Sequence, residues 1–236
     1  MGRIFEKRKY KMFARYDRMA KAFSKIGREI SIAVRQGGVD ANYNPRLRVA
    51  IQNAKGVNMP KDRIDAAIKR ASSKDTAGFE EVLYEGYAPH GIALVVECAT
   101  DNPTRTVAEV RHIFSEHKGS MGTAGSVMFQ FERKGVFTIA AARVKDRDAF
   151  ELELIDRGLE DFEVADSNLI AYTSFADFGK FQKALEEYNV EATTSELQYL
   201  PSNRTQLPED QAKDVLEMIE DLEANEDVQA VYHNLQ

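Results

Sequence analysis

At 236 residues the chain has room for one large domain or several small ones, and its formal net charge of −6 hides a segregation: residues 1–75 carry 19 Lys and Arg against 7 Asp and Glu, a net of +12, and the remainder carries −18. No apolar run approaches the ~18 residues of a membrane helix, the start lacks the apolar core of a secretory signal, and one cysteine excludes an intrachain disulfide; a cytoplasmic protein without a membrane partner is expected. Lysines and arginines that neutralise phosphates release condensed counterions and an acidic body repels polyanions, so contact with nucleic acid is expected at the basic end alone.

From Tyr16 to Gln36, Met19, Phe23, Ile26, Ile30 and Val34 recur at the spacing of a helix with one buried stripe. At about 100° per residue, Arg18, Lys21, Lys25 and Arg28 gather on another side of it. Gly37-Gly38 ends this helix. Asn44-Pro45 reads as a cap followed by proline at the first helical position, with Leu47, Ala50, Ile51 and Ala54 along one side and Gly56 as the stop. Asn58-Met59-Pro60 opens a third helix whose inner face is Ile64, Ala67, Ile68 and Ala71. The three form a thin, alanine-rich bundle of modest stability. Ser72 to Gly78, small and polar, reads as a linker.

The period then changes. Val82–Tyr87 and Gly91–Cys98 read as strands joined by a turn at Pro89-His90; Asn102-Pro103 starts a helix reaching about Lys118, and Ser126–Phe131 is a further strand. Gly135–Ala140, a helix over Asp146–Arg157, strands at Phe162–Ala165 and Leu169–Thr173, a helix over Asp177–Tyr188 and a strand at Glu191–Leu200 spell a split βαβ, ferredoxin-like unit. A helix over Pro208–Ala224 and a strand near Val228–Tyr232 close the chain. Residues 80–133 have too few helices to cover their strands, and the last helix and strand have no near partner, so each completes the other. The expected fold is α+β: a three-helix bundle (1–76) followed by two α/β domains, one of them ferredoxin-like (134–204) and inserted into the other (79–133 plus 205–236).

Chemistry-bearing patterns are sparse. His112 and His117 are spaced five apart and point away from each other on a helix, His90 sits in a turn and His233 is near the end, so no metal site is expected. Cys98 lies in an apolar strand and reads as a buried structural thiol. No nucleophile elbow is present, and Glu151, Glu153, Asp156, Glu160, Asp161 and Glu163 read as a solvated face. Gly119-Ser-Met-Gly-Thr-Ala-Gly-Ser126 tempts as a phosphate cradle, but it runs from helix to strand, the reverse of a nucleotide loop, and reads as a structural turn. Neither a cofactor, a catalytic residue nor a small-molecule substrate is expected.

The basic third remains. Arg46 and Arg48 follow the start of the second helix, Lys61 and Arg63 that of the third, and Lys69-Arg70 close the third; helix N-termini flanked by cations suit backbone phosphates, which gives affinity without base specificity. With Lys7, Arg8, Lys9, Lys11, Arg15, Arg18, Lys21, Lys25 and Arg28, these make up the expected contact set. Tyr10, Phe13 and Tyr16, interleaved with cations, suit either stacking on unpaired bases or an extension of the first helix's packing face.

Several stretches resemble the YebC/PmpR family, whose members are described as transcriptional regulators and include the mitochondrial translational activator of cytochrome c oxidase. They are Asn44-Pro-Arg-Leu-Arg48, Asn58-Met-Pro-Lys61, Ile68-Lys-Arg70, Tyr84-Glu-Gly-Tyr87 with Pro89 and Gly91, Thr100-Asp-Asn102 with Arg105-Thr106, Gly119-Ser-Met-Gly122 with Gly125-Ser-Val127, and Val231-Tyr-His-Asn234. The resemblance covers Phe23 to the end and implies a three-domain, cytoplasmic, cofactor-free protein that associates with nucleic acid without catalysis. The start departs from the family's Gly-His-Ser-Lys-Trp-like segment, with Gly2-Arg-Ile-Phe-Glu-Lys7 and no tryptophan. Two readings follow: a DNA-binding transcriptional regulator, or a ribosome-associated translation factor contacting ribosomal RNA or tRNA.

Overall fold

A computed structural model describes residues 3–73, 78–144 and 146–236, with side chains from residue 19 onward. These fall into two units, Met1–Gly78 and Phe79–Gln236. In the first, α1 (Arg3–Gly37), α2 (Pro45–Gly56) and α3 (Lys61–Ala71) begin and end at the expected punctuation, except that α1 starts well before Tyr16. No proline interrupts the sequence upstream of Gly37, so nothing stops the helix extending toward the N-terminus. The expected stripe is the core: Ile26, Ile30 and Val34 of α1 pack with Leu47, Ala50 and Ala54 of α2 and Ile64 and Ala71 of α3. Part of the expected linker, residues 74–77, lies outside the described residues.

The second unit holds two four-stranded antiparallel sheets. In the first, β1 (Glu80–Tyr87) and β2 (Ala93–Thr100) form a hairpin through the turn at Pro89–Gly91, β3 (Ser120–Met121) pairs with β1, and β8 (Val228–His233) pairs with β2. Two helices, α4 (Pro103–Glu116) and α7 (Glu209–Ala224), bury Val110, Phe114, Val215, Met218 and Leu222 against Leu94, Val96 and Cys98 of β2. The last helix and strand thus complete the sheet begun more than a hundred residues earlier. Between them β4 (Phe131–Ala140), α5 (Arg147–Ile155), β5 (Leu159–Ala165), β6 (Asn168–Ser174), α6 (Phe178–Glu187) and β7 (Thr194–Pro201) make the ferredoxin-like domain, with strand order β5-β6-β4-β7 and a core around Phe137, Ile139, Leu154 and Phe181. Tyr199 of β7 meets Tyr232 of β8 edge to face at 5.4 Å, which joins the two α/β domains at one seam.

One expected strand is absent. Met128–Gln130 forms a 3-10 turn where the sequence pattern predicts extended chain over Ser126–Phe131, and β4 begins at Phe131 as one continuous strand. The cause is nonlocal. The backbone N–H groups of Val127 and Met128 both donate to Glu85 Oε2, each at 2.9 Å, so neither is available to a sheet ladder.

Candidate nucleic-acid interface

The corner between α1 and α2 is built around Asn44, which is buried. Its Oδ1 accepts from the Leu47 amide at 3.0 Å, capping α2, and its Nδ2 donates to the carbonyls of Ala33, in the last turns of α1, at 2.7 Å and of Gly38, just past its end, at 2.8 Å. Gly37 leaves room for this: a Cβ there would stand 2.7 Å from Asn44 Cγ. Arg46 Nη1 donates to Gln36 Oε1 at 2.8 Å, and Arg48 donates to the carbonyls of Ala41 and Asn42, each at 3.2 Å. Arg48 therefore fastens the loop that precedes its own helix, and Arg46 is braced against the last turn of α1.

Pro60 precedes α3 and provides no side-chain cap, so the amides of the first turn have no side-chain acceptor from it. Lys61, Arg63, Lys69 and Arg70 are all exposed. At about 100° per residue Arg63 and Arg70 lie on one face, whereas Lys69 lies with Asp62 and Asp65 on another. The Arg63 guanidinium stands 5.8 Å from the centre of the Phe23 ring of α1, within cation–π reach.

These neighbours locate the two helix starts relative to α1. Arg46 is beside Gln36 and Arg63 beside Phe23, thirteen residues apart and so roughly 20 Å along the axis. The two starts do not converge on one phosphate. Lys21, exposed, and the half-buried Lys25 and Arg28 lie on the side of α1 opposite Phe23. The exposed cations therefore lie on more than one side of the bundle rather than in one pocket, and Arg28 Nη1 is buried. The side chains of Lys7, Arg8, Lys9, Lys11, Arg15 and Arg18, and the rings of Tyr10, Phe13 and Tyr16, lie outside the described residues.

The corner also carries Tyr43, which sequence reasoning does not place in the contact set. The residue is 85% exposed. The signal available in the sequence is an aromatic residue set between Asn42 and the cap Asn44, where a ring has no periodic stripe to join.

In the second unit the stretches that carry the family resemblance are internal struts. Glu85, 6% exposed, accepts from the amides of Gly125 (2.7 Å), Val127 and Met128; burial pushes its carboxyl up, but the three amides outweigh burial and hold it below the usual range. The glycine-rich stretch thus does bind an anion, and the anion is the protein's own. Asp227, also buried, accepts from Arg105 Nη2 and Thr106 Oγ1, both at 2.7 Å, and from Thr100 Oγ1 at 3.2 Å, and its carboxyl is likewise lowered against the effect of burial. Asn102 caps α4 by accepting from the Arg105 amide, and Asn234 Oδ1 accepts from the Ala93 amide at 2.9 Å. His90 and His117 meet Asp214 and Asp221 of α7 at 2.9 and 2.8 Å. Among the described residues no three His, Cys, Asp or Glu side chains gather as a metal site requires, and no helix is long and apolar enough to cross a membrane.

Family models match nearly the whole chain: the TACO1/YebC protein N-terminal domain over residues 3–74, and the TACO1/YebC second and third domain over residues 79–235. Proteins named "Probable transcriptional regulatory protein" from Anaeromyxobacter dehalogenans and Myxococcus xanthus are 52% and 50% identical to it over the full length of both chains. The crystal structure of a conserved hypothetical protein from Aquifex aeolicus is similar at a TM-score of 0.83 and 38% identity, covering 92% of this chain and 90% of that one.

Proposed function

The chain belongs to the TACO1/YebC family, and we propose accordingly that it is a non-enzymatic regulator of gene expression that holds nucleic acid by its phosphate backbone through the helical domain, residues 1–76. The carrying observation is the charge segregation, a net of +12 on the first 75 residues and −18 on the rest, together with the outward Lys61, Arg63, Lys69 and Arg70 of α3. The acidic domains, 79–133 plus 205–236 and 134–204, keep phosphates away from the rest of the molecule. Glu85 and Asp227, buried carboxylates with lowered ionisation, are held by internal donors, which supports a structural role for both over acid–base work. The names of the relatives favour duplex DNA and transcription.

A second reading has an observation of its own. Cations on several sides of α1 suit a folded RNA, whose phosphates approach from several directions, better than a duplex that presents one face. In that reading the protein is a translation factor on the ribosome, touching ribosomal RNA or tRNA.

Salt-dependent binding to duplex DNA, measured beside co-sedimentation with ribosomes, tests both. Replacing Lys61, Lys69 and Arg70 together by Glu is expected to weaken binding and to lower the salt slope by about 0.9 for each duplex phosphate that is no longer neutralised. An unchanged slope in a folded variant overturns this surface as the site. Pelleting with ribosomes, alongside weak and sequence-blind DNA binding, decides for translation.

A further inference from the structure

Tyr43 is the most exposed large apolar residue of those described, at 85%, and it takes no part in the bundle core. An aromatic ring left in water on a small, thin domain forgoes the burial that would stabilise the fold. Its backbone, by contrast, is fixed. The amides of Tyr43 and Asn44 donate to the Asp40 carbonyl at 3.1 and 2.9 Å, and the Asp40 carboxylate accepts from the amide and side chain of Asn42 at 2.9 and 3.0 Å. Arg48 holds the carbonyls of Ala41 and Asn42 from the other side. The loop thus presents an exposed ring on a preorganised support, which lowers the ordering cost of binding.

The surroundings say what kind of partner fits. Between Gly37 and Arg48 the only acid is Asp40, whose carboxylate is already engaged by Asn42, and the cations are Arg46 and Arg48. An exposed ring on a unit whose first 75 residues carry a net charge of +12 combines a stacking face with a positive field, the pairing that single-stranded nucleic acid requires. An acidic peptide would satisfy the charge and leave the flat face of the ring unused.

We infer that Tyr43 is a stacking platform for an unpaired base of a single-stranded segment of nucleic acid. The inference rests on the helical domain being the nucleic-acid surface, and it adds that this surface takes unpaired strand. The test uses the full chain with labelled oligo(U), labelled oligo(dT) and a DNA duplex of matched phosphate number, read by fluorescence anisotropy. Tyr43→Ala is expected to weaken single-strand binding between about five-fold and about a hundred-fold, the range of one base–aromatic stack, and to leave duplex binding unchanged. Tyr43→Phe retains affinity and Tyr43→Leu does not. Weakening on oligo(U) or on oligo(dT) alone assigns the strand as RNA or DNA. The ring lies outside the core, so an unchanged denaturation midpoint confirms that the variants fold.

Equal single-strand affinity for Tyr43→Ala and the wild type overturns the inference. So does an equal weakening on duplex, or Leu serving as well as Phe, which would mark an apolar surface of the kind a protein side chain meets. If the wild type binds neither single strands nor duplex, the nucleic-acid reading itself falls; if it binds both with or without the ring, only the platform does.

Discussion

Replacing Glu85 by Gln tests whether the glycine-rich stretch is shaped by an internal anion. The carboxylate takes three amides: Gly125 at one oxygen, Val127 and Met128 at the other. A carboxamide can still accept two through its carbonyl, but its NH2 then meets the third N–H donor to donor. One charge-assisted hydrogen bond is worth about 1.5–3 kcal/mol and a buried amide left unpaired costs about 1–3 kcal/mol, so the expected loss is about 3 kcal/mol. For a unit the size of Phe79–Gln236 that is roughly a 6–12 °C fall in melting temperature. The sign with pH follows from the lowered carboxyl: its contribution is complete above the ordinary glutamate range near about 4.3 and is lost as pH falls through the lower folded value. Urea unfolding of wild type and variant should therefore differ at neutral pH and converge in acid. The amide resonances of Gly125, Val127 and Met128 should titrate together with a midpoint below that of a free glutamate. A neutral-pH difference under about 0.5 kcal/mol, or one that persists undiminished in acid, would refute the reasoning.

Asn44→Ala removes the cap of α2 and the donor to the carbonyls of Ala33 and Gly38 at once, and should destabilise the helical unit by about 2–3 kcal/mol, read by denaturant midpoint; a cost below about 1 kcal/mol would mean the corner closes without it. Asp227→Asn leaves Thr100, Thr106 and Arg105 without their shared anion and should cost about 2 kcal/mol at neutral pH, a difference that vanishes in acid because the folded carboxyl is again the lowered one; faster hydrogen exchange at the start of α4 would report it, and unchanged exchange would count against it. Gly86→Ala places a Cβ 2.5 Å from both Phe114 Cε1 and the Ser120 carbonyl, so strand β3 should loosen from β1 at a cost of about 1–3 kcal/mol; a wild-type melting curve would show that this approach is not tight.

Much of the fold is legible in the sequence because its signals are local. The stripe Ile26, Ile30, Val34 repeats at the helical period, Gly37-Gly38 and Asn44-Pro45 punctuate it, and each acts through residues within a turn or two. The inserted topology is also readable, from a shortage: strands at 80–98 without enough helices, and a final helix and strand without neighbours. The site is read less well. Arg46 and Arg48 read in the sequence only as cations following a helix start, whereas in the structure one also braces α1 and the other also fastens the loop around Tyr43. Nothing in the order of residues distinguishes a cation aimed at solvent from one aimed at a carbonyl six or seven positions back.

The helices of the basic unit, the split βαβ pattern and the charge dipole are thus written in the order of residues, since period, turn chemistry and summed charge are properties of near neighbours. Long-range packing is what puts Glu85 into the glycine-rich nest some forty residues away and turns an expected strand into a 3-10 turn. The same packing sets the cations on different sides of α1 and leaves Tyr43 in water. Burial and hydrogen-bond partnership depend on what packs against a residue from elsewhere in the chain, and that is fixed only when the chain has closed on itself.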